Sequence, residues 1–444
     1  MGSKEEVDVF IDEQLLSKKQ RNLIKLASKE LCEKIEKDSE IKKKVWPFLS
    51  EFGWEMKPIL KLCPLDRIGS EPGKSGVKVL AGCFSIEMKG IISRVPSQQL
   101  IIKISPDPSD VDQEYVERKF KELKAEFELF KNAKECFDDA HFARPFESYI
   151  HEDSKMVVLW APCSSPHPDH YKLTHEDEDD WKKISDINMY LSVDGKYYFS
   201  RERREMLQKI IDAIRHLENA HRFDENGDRT INEAFIPHYE WELRGWEKFK
   251  DWTKKWSELW GDEEATSDFG VDSWTNPLFI FNKIKSFSEK PYPSGFVHGD
   301  LHPRNIVFTR KKEVKIIDFG WARQSQHIVK DFVLLEANLR CMALPPFMRY
   351  DSAIHFLGLI SKDDTSITHG NDELAIRLSL ISRLRQIAAE RMGDDVNWDV
   401  QYIIPLFLVS LGLLKHCHSA DCTWAVRYNI LALARYLKEN VFIS

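Results

Sequence analysis

The sequence predicts an α+β fold with two unequal lobes, a small and mainly β first lobe and a larger helical second lobe. Three apolar, strand-like segments precede residue 165, at 77–84, 99–104 and 155–160, and one charged helical segment, 111–133, lies among them. Helical periodicity dominates beyond that point, interrupted by short strand-like segments near 295–317. Strands that come first and helices that come later are typical of α+β proteins.

We expect three consecutive parts. Residues 1–60 form a helical N-terminal extension, residues 61–163 form the sheet-containing lobe, and residues 164–444 form the helical lobe. The extension is predicted to be helical because its segment 12–45 is rich in Lys and Glu and carries apolar residues near helical spacing. Those apolar residues are Leu23, Leu26, Leu31 and Ile35.

The helical lobe is defined by apolar residues that recur with the period of an α-helix. Helices are predicted at 201–220, 237–260, 274–288, 372–391, 400–415 and 422–440, and a further helix begins at Asp331. Short strands are predicted at Gly295–His298, Ile306–Phe308 and Val314–Ile317.

Charge and hydropathy argue against several classes of partner. The formal net charge of -8 disfavours nucleic acid and anionic membranes as the main partner. The longest apolar stretch, Ile403–Leu414, is about a dozen residues long, whereas a membrane-spanning helix needs about 20. None of the eight cysteines forms a Cys-x-x-Cys pair, and the N-terminus is polar. We therefore expect reduced thiols and a cytoplasmic location.

Two short motifs carry the chemistry. Asp300 and Asn305 lie five residues apart, and Asp318, in the sequence Asp-Phe-Gly, follows Asn305 by thirteen residues. Phosphoryl transfer needs a carboxylate that orients or deprotonates the attacking hydroxyl, and magnesium that neutralises the phosphate charge. Magnesium takes oxygen ligands from carboxylates and amides. Asp300, Asn305 and Asp318 are therefore candidates for these roles.

The same segment carries a family resemblance. With Gly299 after His298 and a His-Pro pair after Leu301, it resembles the aminoglycoside phosphotransferase and choline kinase family, whose members have a two-lobed protein-kinase-like fold. The resemblance implies ATP and Mg²⁺ as cofactors and a small-molecule hydroxyl as phosphate acceptor. It implies Asp300 as the catalytic base and His298 as the residue that orients the loop. It also implies Asn305 and Asp318 as metal ligands.

A kinase-like site also needs a strand lysine that reaches the nucleotide phosphates and pairs with a helix glutamate. Lys103 lies in the strand-like segment 100–104 and is the candidate lysine. Glu126 is the candidate partner because it shares a helix face with the apolar residues Leu123 and Phe130.

Segment 68–76 is predicted to be a loop that covers the phosphates. Gly73, Ser75 and Gly76 are its candidate contacts, because glycine allows the backbone to approach phosphate closely. The segment is not a Walker A loop, because it has three rather than four residues between Gly69 and Gly73 and a strand comes after it.

The chain beyond Gly320 indicates the type of acceptor. It contains no Ala-Pro-Glu sequence, and a helix is predicted to begin at Asp331, eleven residues after Gly320. A peptide-docking segment is therefore not expected, and block 166–290 is long enough to build a small-molecule pocket. Aromatic residues at 246–260 either line that pocket for a cationic substrate or pack a helix into the lobe.

Two other functions remain open on the sequence alone. The chain could be a nucleotide-binding interaction module with little catalysis, or a kinase that acts on a protein. A protein partner could bind the N-terminal extension or the C-terminal helices.

Overall fold

The structure is a computed structural model. It describes residues 8–10, 16–45, 57–64, 66–68, 77–88, 91–93, 99–132, 136–138, 140–162, 183–187, 191, 201–221, 230–231, 234–243, 254, 256–287, 292–308, 313–344, 349–362, 364, 372–394, 396–416 and 420–442.

The described strands are short, and most lie in the first half of the chain. They are β1 (Asp8–Phe10), β2 (Lys57–Pro64), β3 (Asp66–Ile68), β4 (Lys78–Met88), β5 (Ile91–Ser93), β6 (Gln99–Ile104), β7 (Glu147–His151), β8 (Met156–Pro162), β9 (Lys183–Asp186), β10 (Thr230–Ile231), β11 (Ala265–Asp268), β12 (Val271–Thr275), β13 (Tyr292–Val297), β14 (Ile306–Phe308), β15 (Val314–Ile316) and β16 (Arg323–His327).

The described helices dominate the second half. They are α1 (Lys18–Lys37), α2 (Ser39–Val45), α3 (Gln113–Asn132), α4 (Arg201–His221), α5 (Phe235–Leu243), α6 (Pro277–Lys285), α7 (Lys330–Cys341), α8 (Tyr350–Gly358), α9 (Asp372–Met392), α10 (Ile404–Leu413) and α11 (Ala420–Asn440). The predicted order, a small sheet region followed by a mostly helical remainder, is confirmed.

The chain forms two compact units. The first comprises Met1–Met189 together with Ile306–Trp321, and the second comprises Tyr190–Asn305 together with Ala322–Ser444. The predicted three-part division of the chain stays a prediction.

The main sheet of the first unit has β6 near its centre. The strand order is β1-β2-β4-β6-β8-β7, with β5 paired to β4, and only β1 runs parallel to its neighbour. A second sheet in this unit has the order β15-β14-β9-β3. Successive side chains of a strand point to opposite faces, so each face of the main sheet can carry its own helix.

Helix α1 covers one face of this sheet. Leu23, Ile24 and Leu31 are buried with Ile102 and Ile104 of β6 in one apolar cluster. Of the four apolar residues named in the sequence prediction of this helix, Leu26 does not join this cluster. It is 50% exposed, because it lies outside the arc that the buried positions occupy.

Helix α3 covers the other face. Phe120 and Leu123 are buried with Val157 and Leu159 of β8. Because residues 157 and 159 alternate with those buried under α1, the two helices pack on opposite sides of the sheet.

The second unit is built mainly from helices. Helix α10 is buried along its whole length and contacts α5, α7 and α11. A three-stranded antiparallel sheet, β10-β13-β16, and the hairpin β11-β12 complete the described part of this unit. None of the described helices is both long and apolar enough to cross a membrane.

Two helices begin differently in the structure from what the sequence predicts. The predicted helix 274–288 corresponds to α6, but Trp274 lies in β12 and the helix begins at Pro277. Asn276 caps it by accepting a hydrogen bond from Leu278 N, and proline suits the first helical position. The predicted helix 400–415 begins with a π-turn, Asp399–Ile403, ahead of Pro405, whose missing N–H disrupts regular helical hydrogen bonding.

Candidate active site

Lys103 lies on the central strand of the main sheet. Its register partners are Val79 on β4 and Leu159 on β8. The neighbouring Ile102 points to the opposite face, under α1, so Lys103 points to the face that α3 covers.

Lys103 forms ion pairs with two carboxylates, and we call Lys103, Glu126 and Asp318 the lysine centre. Its Nζ lies 2.7 Å from Glu126 Oε1 and 2.9 Å from Asp318 Oδ1. Glu126 is buried on α3, whereas the Asp318 side chain is 46% exposed. Burial disfavours the ammonium ion, but the charges of Asp318 and Glu126 outweigh this effect, so the pKa of Lys103 is raised. Lys103 is therefore a permanent cation at neutral pH.

The backbone of Asp318 is in the left-handed region, with φ of 67°. Residues other than glycine adopt this conformation at a cost of about 1–3 kcal/mol, and strained residues of this kind cluster at functional sites. The preceding chain is fixed on both sides. Strands β14 and β15 form an antiparallel hairpin, and Ile316 O accepts a hydrogen bond from Ala143 N at 3.1 Å.

Phe319 anchors the other side of Asp318. It is buried, and its ring centroid lies 4.8 Å from that of Phe130 and 5.3 Å from that of Phe137, both in edge-to-face geometry. Such pairs contribute about 0.5–1.5 kcal/mol beyond their buried area. Because Phe130 also lies on α3, Phe319 attaches the Asp318 backbone to the helix that carries Glu126.

In the second unit, residues 298–305, which we call the Asp300 loop, come directly after β13. Asn305 is buried, and its Nδ2 donates to the Asp300 carbonyl oxygen at 2.9 Å. His298 is buried, and its Nδ1 accepts from the backbone N–H of Asp300 at 3.3 Å. The Asp300 side chain is 39% exposed, and its Oδ2 lies 3.7 Å from His302 Nε2. The loop therefore fixes its own backbone and leaves the Asp300 carboxylate accessible.

A buried carboxylate holds the start of this loop. Asp331, in the first turn of α7, accepts hydrogen bonds from His298 N at 2.8 Å and Gly299 N at 2.9 Å. His221 Nε2 lies 3.1 Å from the same carboxylate. Burial alone would raise the pKa of Asp331, but its hydrogen bond to His221 and the charges of His221 and His298 lower it. Asp331 is therefore an ionised acceptor that fixes the direction of the loop.

Gly295 allows His221 to reach this carboxylate. A Cβ atom at residue 295 would lie 2.0 Å from the His221 carbonyl oxygen, closer than any real contact. Only glycine lets β13 approach the end of α4 this closely.

Each of the two groups contains oxygen donors of the kind that magnesium prefers over nitrogen and sulfur. In the Asp300 loop these are the half-exposed Asp300 carboxylate and the side-chain oxygen of Asn305, whose amide nitrogen is used inside the loop. In the lysine centre the donor is the half-exposed Asp318 carboxylate.

The structure places the described site residues in two groups. It brings Glu126 and Asp318 each into direct contact with Lys103, and it joins His298, Asp300 and Asn305 through the hydrogen bonds of one loop. Three other predicted contacts, Gly73, Ser75 and Gly76, lie outside the described residues. The roles assigned to all of these residues stay predictions.

Sequence reasoning missed Asp331 and His221 as functional residues, since it identifies Asp331 only as the beginning of a helix. A usable signal was present. The four residues after Asp331 are all apolar, and a carboxylate that is buried next to such a run needs hydrogen-bond donors.

Two of the tryptophans considered as a pocket wall are described. Trp256 and Trp260 are both buried, and Trp256 packs edge-to-face on Phe281 with centroids 5.9 Å apart. For these two residues the helix-packing interpretation holds. Trp246, Phe249 and Trp252 lie outside the described residues.

Comparison with known proteins gives one family match. Residues 241–415 match the family model of ternary complex associated domain 9. This range contains the Asp300 loop and Asp318 but covers less than half of the chain. No curated protein matches the sequence significantly.

Several solved structures are similar at low levels. The GDP complex of wild-type aminoglycoside 2'-phosphotransferase-IIIa shares 13% identity, with a TM-score of 0.32 over 80% of this chain and 89% of that one. Choline kinase LicA from Streptococcus pneumoniae shares 14% identity, with a TM-score of 0.26 over 75% of this chain and 89% of that one. LicA in complex with AMP shares 13% identity, with a TM-score of 0.32 over 90% of this chain and 98% of that one.

Proposed function

We propose that this protein is an ATP- and magnesium-dependent phosphotransferase with a protein-kinase-like fold, and that a small molecule supplies the acceptor hydroxyl. The observation that carries the proposal is the lysine centre. It combines a permanently charged lysine on a central strand, a buried helix glutamate and a half-exposed aspartate in a strained conformation. A phosphotransferase needs these charges to orient phosphate and metal.

Each residue has a distinct task in the proposed reaction. Glu126 holds the Lys103 ammonium, which binds the nucleotide phosphates, and Asn305 and Asp318 hold Mg²⁺. The metal, when bound, neutralises charge on the phosphates. Asp300 accepts the proton of the acceptor hydroxyl while the oxygen of that hydroxyl forms a bond to the γ-phosphorus. The bond between the γ-phosphorus and the bridging oxygen breaks, and ADP leaves with that oxygen.

The short connection between Asp318 and α7 favours a small acceptor. Helix α7 begins at Lys330, ten residues after Gly320, and it is buried over almost its whole length. The intervening chain includes β16, which pairs with β13. This stretch therefore leaves little chain for a peptide-docking platform.

The test is an ATP-consumption screen over amino alcohols, aminoglycosides, sugars and nucleosides. The wild-type protein is expected to turn over ATP with at least one acceptor class. The Asp300→Asn variant is expected to lose transfer by about a hundredfold or more and to retain nucleotide affinity, because the carboxamide cannot accept the proton. Full activity of Asp300→Asn would refute the assignment.

Asp272→Asn is the matched control. Asp272 is an exposed aspartate of the hairpin β11-β12, so the same change there removes an exposed carboxylate that is not part of the Asp300 loop. Its turnover is expected to equal that of the wild-type protein.

The family match supports a second candidate, a nucleotide-binding module that works within a protein complex. The matching model is named for association with a ternary complex and contains the Asp300 loop. Tight magnesium-dependent nucleotide binding without turnover across the panel would favour this module. Labelled polypeptide after incubation with radiolabelled ATP would instead indicate a protein kinase.

A further inference from the structure

Helix α3 contacts residues 318–321 at a third point, in addition to the hydrogen bond between Glu126 and the Phe319 backbone and the ring contact between Phe130 and Phe319. The Nζ of Lys119 lies 5.4 Å from the ring centroid of Trp321. This distance is within the range of a cation–π interaction, for which tryptophan is the best partner. Trp321 comes directly after Gly320, so this contact lies three residues from Asp318.

The burial of Lys119 is unusual. Its side chain is 9% exposed, although lysine is almost never fully buried unless it is paired. Its Nζ lies 2.7 Å from Glu122 Oε2, and the Glu122 side chain is 10% exposed. The ammonium is therefore neutralised on its own helix and held beside the indole ring.

The three contacts share one face of the helix. Lys119, Glu126 and Phe130 are separated by seven and four residues, which places their side chains in line on an α-helix. Lys119 contacts Trp321 and Phe130 contacts Phe319, so residues 318–321 run along α3 in the opposite direction to the helix.

We propose that Lys119 and Trp321 form a latch that holds residues 318–321 against α3 and keeps the Asp318 carboxylate in position for a metal. The latch fixes one end of the segment, and the aromatic contacts of Phe319 fix the other. Asp318 lies beyond Phe319 in its left-handed conformation, which needs support from its surroundings. Lys119 and Trp321 are positioning residues, and their role in metal binding rests on the proposed phosphotransferase function.

The first measurement needs no nucleotide. Amide hydrogen exchange is compared between wild-type protein, Lys119→Gln and Trp321→Leu for the peptide that contains residues 318–321. Both variants are expected to exchange about threefold to tenfold faster there, in line with the energy of a cation–π contact. Trp321→Leu leaves the Lys119–Glu122 pair intact, so it separates loss of the latch from loss of that pair. Unchanged exchange in both variants would overturn the latch.

The second measurement tests its role at the metal. Nucleotide affinity is measured in the presence of Mg²⁺ and in the presence of EDTA. The ratio of the affinity with Mg²⁺ to the affinity with EDTA is called the metal gain. Lys119→Gln and Trp321→Leu are expected to reduce this gain about threefold to tenfold, while metal-free affinity stays within about twofold. Lys119→Arg is expected to restore the gain, because a guanidinium group also stacks on tryptophan. The double variant should lose no more than either single variant.

Lys124→Gln is the matched control on the same helix. Lys124 pairs with Glu152 at 2.7 Å, and its side chain is 42% exposed. Exchange and metal gain should both stay at wild-type values. Faster exchange with an unchanged metal gain in the latch variants would overturn the positioning role. A wild-type protein without magnesium-dependent nucleotide binding would refute the proposed function and the positioning role together, while the exchange result would still decide whether the latch exists.

Discussion

The two units each contain a buried ion cluster, and the two clusters are built differently. In the lysine centre, one cation pairs with two carboxylates. One of these, Asp318, is half exposed, and its backbone is in a strained conformation. In the second unit, Glu336 is fully buried between Arg385 and Arg340. Its Oε1 lies 2.6 Å from Arg385 Nη2 and 3.6 Å from Arg340 Nη1. Its Oε2 accepts a hydrogen bond from the Tyr402 hydroxyl at 2.7 Å.

The remaining donors of the second cluster are used as well. Arg385 donates to the Ser361 and Leu359 carbonyl oxygens, and Arg340 donates to Asn429 and the Leu359 carbonyl oxygen. A fully satisfied buried network stabilises one arrangement of the helices it joins. The lysine centre keeps an exposed carboxylate and a strained residue, which is the pattern expected where binding matters more than stability.

The largest effect is expected from breaking the helical cluster. Glu336→Gln leaves two buried arginines without a counter-charge and should lower the free energy of unfolding by about 3–5 kcal/mol. Chemical denaturation measures this loss. The control Glu390→Gln removes an exposed partner of Arg215, 3.4 Å away, and should cost less than about 1 kcal/mol. Equal losses in the two variants would contradict the contrast between the clusters.

The next effect separates stability from binding in the lysine centre. Lys103→Met leaves the buried Glu126 without its cation and should cost about 1–3 kcal/mol of unfolding free energy, together with nucleotide affinity. Adding Glu126→Gln should recover most of the stability, because no buried charge then remains, but none of the affinity. Denaturation and nucleotide titration of both variants measure this split. Recovery of affinity in the double variant would show that Lys103 does not bind phosphate.

The lysine centre could be predicted in part from sequence because its chemistry depends on local patterns. The strand around Lys103 and the face of α3 that carries Glu126 both follow from periodicity. The left-handed backbone of Asp318 could not be predicted, because its neighbours are held by residues far away in the chain: Phe319 contacts Phe130, and Ile316 accepts a hydrogen bond from Ala143.

The Glu336 cluster could not be predicted at all. Helix periodicity places Glu336 and Arg385 on two separate helices, and no local pattern indicates that their side chains meet in the core. Such pairing depends on tertiary packing, which sequence spacing does not encode. The same limit explains why periodicity does not predict hairpin β11-β12, since its strands are short and their burial alternates weakly.

A smaller effect is expected from relieving strain at Asp318. Asp318→Gly removes a half-exposed ion pair worth about 0–1 kcal/mol and relieves a conformation that costs about 1 kcal/mol or more. Stability should therefore stay level or rise slightly, while magnesium-dependent nucleotide binding is lost. Ser325→Gly is the control, because Ser325 also has a positive φ, of 52°, and carries no charge. A stability loss above about 2 kcal/mol for Asp318→Gly alone would show that Asp318 is a structural residue.

The smallest expected effects are changes of the unfolding free energy with pH, which differ between the two clusters. Burial alone would raise the pKa of Glu336, but the charges of Arg385 and Arg340 outweigh this effect, so its pKa is lowered. Its contribution is therefore complete above the unfolded value of about 4.3 and is lost as pH falls through the folded value. The pKa of Lys103 is raised, so its own contribution is complete below about 10.4 and is lost only as pH rises beyond that. Between about pH 6 and about pH 9, the unfolding free energy difference between wild-type protein and Lys103→Met should therefore not fall, and it rises where the buried Glu126, which has lost its cation in the variant, ionises. The difference for Glu336→Gln should shrink below about pH 4. A Lys103→Met difference that fell between pH 6 and pH 9 would mean that Lys103 titrates there and that its two carboxylates do not hold its charge.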